Sequence, residues 1–158
     1  MATTYEGSHQ QYGVIAERNL MMPMRDGVRL ATDLYFPASD GVRAEGQFPV
    51  ILERTPYNKD APRQVTKGKY FARRGYVCVI QDVRGRFESE GEFYAFAKEA
   101  PDGYDTVEWL GTQAWSTGKV GTMGDSYAGS DQSALATLNP PHLCTMIVAV
   151  GASNYYHS

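Results

Sequence analysis

The sequence predicts an α/β fold built on a mostly parallel sheet, and three observations carry that prediction. An Asp-Gly turn near the start lies between two stretches of alternating polarity. Four short apolar runs follow, spaced widely enough to hold a helix between each pair. The charge is also uneven: residues 1–101 hold 14 basic and 13 acidic side chains, whereas residues 102–158 hold one basic, Lys119, and five acidic. The second part is therefore expected to lie mostly in the interior.

Residues 1–16 read as a flexible leader, because Thr3, Thr4, Gly7, Ser8, His9, Gln10 and Gln11 give a polar stretch with no apolar period. Structure is expected from near Glu17. Residues 20–24 and 28–36 flank Arg25-Asp26-Gly27, and Val28, Leu30, Leu34 and Phe36 share one face at period two, which predicts an antiparallel hairpin. Residues 49–53, 76–82, 119–124 and 145–150 are apolar rather than alternating, as central parallel strands covered on both faces require. Helices fill the gaps, most clearly at 102–114, where Tyr104, Val107, Leu110 and Ala114 keep helical spacing behind Asp102 as a candidate cap. A further helix is expected from Tyr127 to Leu138, ending before Asn139-Pro140-Pro141. An antiparallel start followed by βα repeats gives a mostly parallel sheet with helices on both faces.

The 158 residues fit one domain, and 42% hydrophobic with 21% charged side chains is too apolar for a disordered chain. A net charge of -3 leaves no electrostatic footprint for a phosphate backbone or an anionic lipid surface, so nucleic acid is not an expected partner. The longest apolar runs, 76–80 and 146–152, fall far short of the roughly 20 residues that span a bilayer. The first thirty residues lack the basic-then-apolar order of a secretory signal, which makes a cytoplasmic address the expectation. Cys78 and Cys144, in or beside apolar runs, read as two buried free thiols. Glu88, Glu90 and Glu92 alternate among glycines and read as a solvated loop, so neither a metal nor a cofactor is expected.

The local pattern richest in chemistry is Gly124-Asp125-Ser126-Tyr127-Ala128-Gly129. Glycine stands two residues before the serine, and alanine stands where a second glycine is usual. A strand that turns at once into a helix holds such a serine in a strained bend, and it needs tiny side chains where helix and strand cross. The hydroxyl then stands at the carboxyl end of the sheet, and the helix N-terminus offers the Tyr127 backbone N–H to a developing oxyanion. The competing reading is a serine that merely caps a helix in a tight βα turn. A second oxyanion donor is expected from the loop after the strand at 49–53, which runs Arg54-Thr55-Pro56-Tyr57-Asn58-Lys59-Asp60. There Tyr57 is the candidate, against a surface tyrosine packed on Pro56. Asp82-Val83-Arg84-Gly85 follows the strand at 76–81 at the same sheet edge, where ligands of open α/β sheets bind. Arg84 is expected to lock that loop to Asp82 or another carboxylate.

Four segments occur in a telling order: Met22-Pro23-Met24-Arg25-Asp26-Gly27 with Ala31-Thr32-Asp33-Leu34-Tyr35, then Arg54-Thr55-Pro56-Tyr57, then Gln81-Asp82-Val83-Arg84-Gly85, then Gly124-Asp125-Ser126-Tyr127-Ala128-Gly129. From about Arg18 onward the chain resembles the N-terminal part of the CocE/NonD hydrolases, the Xaa-Pro dipeptidyl-peptidase-like group that includes cocaine esterase, α-amino acid ester hydrolases and glutaryl acylases. The resemblance implies an α/β-hydrolase domain of which residues 17–158 form the N-terminal part, truncated before the cap and C-terminal strands. It implies a serine hydrolase of esters, amides or peptides working through an acyl-enzyme, with Ser126 as nucleophile and the Tyr57 hydroxyl and Tyr127 N–H as the oxyanion hole. In that family the triad Asp and His follow the cap, so they are expected beyond Ser158. About 12 helical residues after Ser126 carry the chain roughly 18 Å toward the opposite sheet edge, which removes His142 as a base. His157, one residue from the end, and His9 are poor substitutes. The rival expectation is a non-catalytic α/β module that pairs, or forms an oligomer, through an exposed sheet edge.

Overall fold

The computed structural model describes residues 7–151. Its strands are β1 (Gly13–Pro23), β2 (Arg29–Ser39), β3 (Val42–Arg43), β4 (Phe48–Thr55), β5 (Val77–Asp82), β6 (Ser116–Asp125) and β7 (Leu143–Ala149). Three helices intervene: α1 (Pro62–Ala72) between β4 and β5, α2 (Glu99–Gly111) between β5 and β6, and α3 (Tyr127–Ala136) between β6 and β7. All strands share one sheet in the order β1-β2-β5-β4-β6-β7, with β3 paired to β2. β1 and β2 form the antiparallel hairpin, β2 meets β5 antiparallel, and β5, β4, β6 and β7 run parallel. The α/β expectation holds, including the antiparallel opening.

Neighbouring residues of one strand serve opposite faces. Leu34, Phe36, Val50, Leu52, Val77 and Val79 join Val107, Leu110 and Leu135 under α2 and α3. Tyr35, Cys78 and Ile80 join Ala72 under α1, with Phe71 and Ile51 at the margin. Both faces are apolar because both are covered, which is why these strands read as runs rather than as alternation. In α1, a Cβ on Gly68 would lie 2.4 Å from the Tyr35 ring, so the missing side chain is what lets helix and sheet close.

Several boundaries and burials differ from expectation. β1 begins at Gly13, inside the stretch read as a leader, because the Gln11 and Tyr12 N–H groups donate to Arg73 O at 2.8 and 3.2 Å and dock the chain onto the end of α1. Helix α2 starts at Glu99 with Lys98 in the cap position, and Asp102 is a buried residue of its first turn. Asp102 faces Arg84, not its own helix end, so its acidity serves a tertiary pair. The expectation that the second part is mostly interior fails at β7. Met146, Ile147, Val148 and Val150 are exposed, and so is Cys144, whose thiol donates to Val120 O at 3.3 Å. β7 is a sheet edge, and apolar character alone supplies no neighbour to bury it. Cys78 is buried as expected, and both thiols are free. Among the described residues no helix is long and apolar enough to cross a membrane.

Candidate active site

Strand β6 ends at Asp125 and α3 begins at Tyr127, leaving Ser126 as the single residue of the turn, at φ 58° and ψ -121°. A non-glycine residue in that region carries strain on the order of 1–3 kcal/mol, so the surroundings must hold it there. The Ser126 N–H donates to Ala149 O of β7 at 3.0 Å, and the Ser126 carbonyl accepts the Gly129 and Ser130 N–H groups, each at 3.0 Å. A Cβ on Gly124 would lie 2.4 Å from Ala128 O, and one on Gly129 would lie 2.8 Å from Ala149 O. The small residues are therefore required by the crossing of β6, β7 and α3. The Ser126 side chain makes no capping bond to α3, which sets aside the helix-cap reading.

The Ser126 hydroxyl instead lies 3.2 Å from the Tyr57 hydroxyl. Tyr57 stands in the loop after β4, its N–H donating to Thr55 Oγ1 at 3.0 Å and its ring half-exposed. As the first residue of α3, Tyr127 has a backbone N–H that no carbonyl of its own helix can take. Its side chain turns away: the phenol donates to Glu99 Oε1 at 2.7 Å, accepts the Phe96 N–H at 3.0 Å, and stacks on the Phe96 ring at 4.2 Å. Burial pushes that phenol well up from its usual range, so it stays protonated. The three residues named from sequence thus meet at the carboxyl end of the sheet. A groove of 450 Å³ beside α1, lined by Ile51, Phe71, Tyr76, Met123 and Thr145, does not include them.

Histidines do not. His142 lies at the opposite sheet edge, Nδ1 2.9 Å from Gly118 O and Nε2 3.8 Å from Glu108 Oε2. His9 sits between Ser8, whose carbonyl accepts Arg74 Nε, and Gln11, which donates to Arg73 O, again at the end of α1 remote from Ser126. His157 lies outside the described residues. Glu90 bonds the Arg29 side chain at 2.5 and 3.0 Å. Among the described residues no three His, Cys, Asp or Glu side chains are grouped to hold a metal ion.

The floor of the site is a buried charge network that sequence reasoning largely missed. Arg84 forks onto Asp102 at 2.9 and 2.7 Å and also reaches Asp26 at 3.0 Å, which fixes the loop after β5 to α2 and to the hairpin turn. These hydrogen bonds, Asp102 foremost, hold its guanidinium even further above neutrality than usual. Arg54, fully buried at the end of β4, lies 2.7 Å from Glu99 Oε2 and donates to Gln81 Oε1 at 2.9 Å. Lys59, also fully buried, lies 3.4 Å from Asp33 Oδ1. The available signal was position: Arg54 and Asp33 interrupt strands that are otherwise core, and a charge there needs a partner.

Asp82 accepts the Lys59 backbone N–H at 2.8 Å, and burial raises its pKa to about 6. An unfolded aspartate titrates near ~3.9. Between about pH 4 and 6 the folded chain therefore holds a proton that the unfolded chain has released, and stability falls as pH rises through that window. Asp82→Asn keeps an acceptor for Lys59 and removes the slope. Urea unfolding is expected to show the variant more stable by about 2–3 kcal/mol at pH 7.5 and equal to the parent at about pH 3, below both pKa values. Equal stability at both pH values would show that Asp82 titrates normally.

The profile described as X-Pro dipeptidyl-peptidase (S15 family) matches residues 26–158, from the hairpin turn through Tyr57 and Ser126. The chain belongs to the S15 family. Within this family of esterases and peptidases, cocaine esterase from Rhodococcus is 42% identical over 144 residues, which cover 89% of this chain and 24% of that protein. The crystal structure of a CocE/NonD family hydrolase from Staphylococcus aureus superposes with a TM-score of 0.81 at 30% identity, covering 92% of this chain and 29% of that one. An α-amino acid ester hydrolase superposes with a TM-score of 0.73 at 29% identity, covering 95% of this chain and 27% of that one. The chain thus spans about a quarter of the length of the S15 relatives it matches, and its fold is that of the α/β hydrolases.

Proposed function

We propose that Ser126 is the nucleophile of a serine hydrolase that cleaves small esters, amides or peptides through an acyl-enzyme. The observation that carries this reading is the 3.2 Å approach of the Tyr57 and Ser126 hydroxyls at a strained strand-to-helix turn. Ser126 Oγ attacks the acyl carbon and loses its proton to a base. The carbonyl π bond opens, and the resulting oxyanion accepts hydrogen bonds from the Tyr57 hydroxyl and the Tyr127 N–H. Collapse expels the alcohol or amine, and water then releases the acid from Ser126. A phenol hydroxyl is a donor that the reaction does not consume. The base and its carboxylate are assigned to the part of the protein that follows residue 158, as in the family resembled. We place the protein in the cytoplasm, where the free thiols of Cys78 and Cys144 stay reduced.

A fluorophosphonate probe tests the assignment of the nucleophile. The adduct is expected on the peptide carrying Ser126, identified by mass spectrometry, in the chain joined to the remaining three-quarters that its relatives possess. Labelling of another serine would overturn the assignment. Tyr57→Phe deletes one oxyanion donor and little volume, so in the active enzyme kcat is expected to fall about 10²- to 10³-fold, with KM and the melting temperature nearly unchanged. A rise in KM with kcat unchanged would assign Tyr57 to substrate binding.

A further inference from the structure

We propose that Lys59 and Asp33 are positioning residues: a buried ammonium and carboxylate that clamp the loop after β4 onto β2 and so keep the Tyr57 hydroxyl aimed at Ser126. The proposal rests on the catalytic reading just given and supplies what that reading leaves open, which is how an exposed loop tyrosine is held in register.

Loops move more than the elements they connect, and Tyr57 is half-exposed in one. Its local bonds fix the shape of the loop only. Tyr57 N–H donates to Thr55 Oγ1, Asp60 N–H to Asn58 Oδ1 at 2.9 Å, and Ala61 N–H to Asn58 O at 3.0 Å, while Asn58 takes φ 79°. Beyond Arg86, whose Nε donates to Pro56 O at 3.2 Å from the loop after β5, the anchor of the Tyr57 loop on the sheet is Lys59, two residues after Tyr57. Its N–H donates to Asp82 at the end of β5. Its side chain passes under the loop, with Nζ 3.4 Å from Asp33 Oδ1 and 3.2 Å from Asp60 Oδ2.

Both Lys59 and Asp33 are fully buried, and neither residue type is found so unless paired. A lysine between Asn58 and Asp60 kept for solubility would point to water. The receiving end is built for the charge. The register of β1 slips between Glu17 and Leu20, Asn19 takes φ 58°, and its N–H then donates to Asp33 Oδ1 at 2.9 Å. Arg18 from the same bulge lies 2.6 Å from Asp33 Oδ2 and also bonds Asp60. Two cations and two anions from β1, β2 and the loop close on each other. An apolar residue at 59 would pack but would not choose one seat along β2, whereas an ion pair does. This also explains why Asp33 interrupts the core stretch of β2. Donors to an oxyanion act at about 2.7–3.1 Å, and a displacement of about 1 Å costs on the order of 10²-fold in rate.

The test places 3-fluorotyrosine at position 57 and follows it by fluorine NMR, with circular dichroism as the check on folding. In the unmutated protein the clamp requires one broad resonance displaced from that of free fluorotyrosine. A sharp signal at the free position would overturn the proposal before any variant is made. Lys59→Met, matched in length, is expected to keep the fold, move the resonance toward the free position, and lower kcat of the active enzyme about 10- to 10²-fold with KM changed less than about threefold. A folded Lys59→Met with resonance and kcat unchanged overturns the clamp. Should Lys59→Met fail to fold, Asp33→Asn, which keeps an acceptor for Asn19, is read by the same two signals. Fluorophosphonate labelling separates the two readings. If Ser126 is not labelled while the Tyr57 resonance still answers to Lys59, the clamp stands and the assignment of the nucleophile falls.

Discussion

Ser126→Ala is expected to lower p-nitrophenyl acetate turnover about 10⁵- to 10⁶-fold in the chain joined to the remainder that its relatives possess. Loss of a serine nucleophile from such enzymes removes nearly all the contribution of its base as well, because the two act as one unit. The Tyr57 hydroxyl and the Tyr127 N–H survive the substitution, so a residual rate of roughly 10³- to 10⁴-fold over water is the floor. The 158 residues alone are expected to sit near that floor, since neither His142 nor His9 stands near Ser126. Vigorous, Ser126-dependent turnover by these residues alone would mean that a base within them, or one lent by a partner chain, completes the site. Turnover in the extended Ser126→Ala variant above about a tenth of the parent would remove Ser126 from the mechanism.

Much of this arrangement is legible in the sequence because it depends on local chemistry. Asp26-Gly27 between alternating stretches can hardly form anything but a turn, and the unbroken apolarity of 76–82 needs cover on both faces. Ser126 is found because the constraint on Gly124, Ala128 and Gly129 is steric and lies within six residues. What escapes the sequence depends on residues far apart in the chain. Asp102 stands where a helix cap would stand, and only the path of the loop after β5 reveals that Arg84 claims it. Lys59 looks solvent-facing until a bulge in β1 and an aspartate in β2 are seen to form its seat. Cys144 and Ile147 fail for the opposite reason. Their apolar setting predicts burial, yet burial requires an element lying over β7, and apolarity does not provide one.

Arg54 is the residue whose loss is expected to cost most stability. Its guanidinium is fully enclosed, with Nη1 2.7 Å from Glu99 Oε2 and 3.1 Å from Glu99 O, and Nε donating to Gln81 Oε1. Asp131 of α3 is buried nearby, where burial raises its pKa from the usual carboxylate value and the Arg54 charge opposes that rise. Arg54 and Glu99 form a buried ion pair, and Glu99 in turn accepts the Tyr127 phenol beside the turn that holds Ser126. Arg54→Met keeps the volume and strands the Glu99 carboxylate, for which a loss of about 3–5 kcal/mol at pH 7 is expected in urea unfolding. The double variant Arg54→Met with Glu99→Gln removes both charges and should recover much of that loss. Lowering the pH should help the single variant as well, because an unpaired buried carboxylate takes up a proton more readily folded than unfolded, so its stability rises as pH falls. Arg54→Lys should rescue only in part, since a point charge cannot reach Gln81 and Glu99 at once as the fork does. A single variant as stable as the parent at pH 7, or one whose deficit is the same at pH 5, would show that the buried pair contributes little and that the floor of the site is held by packing.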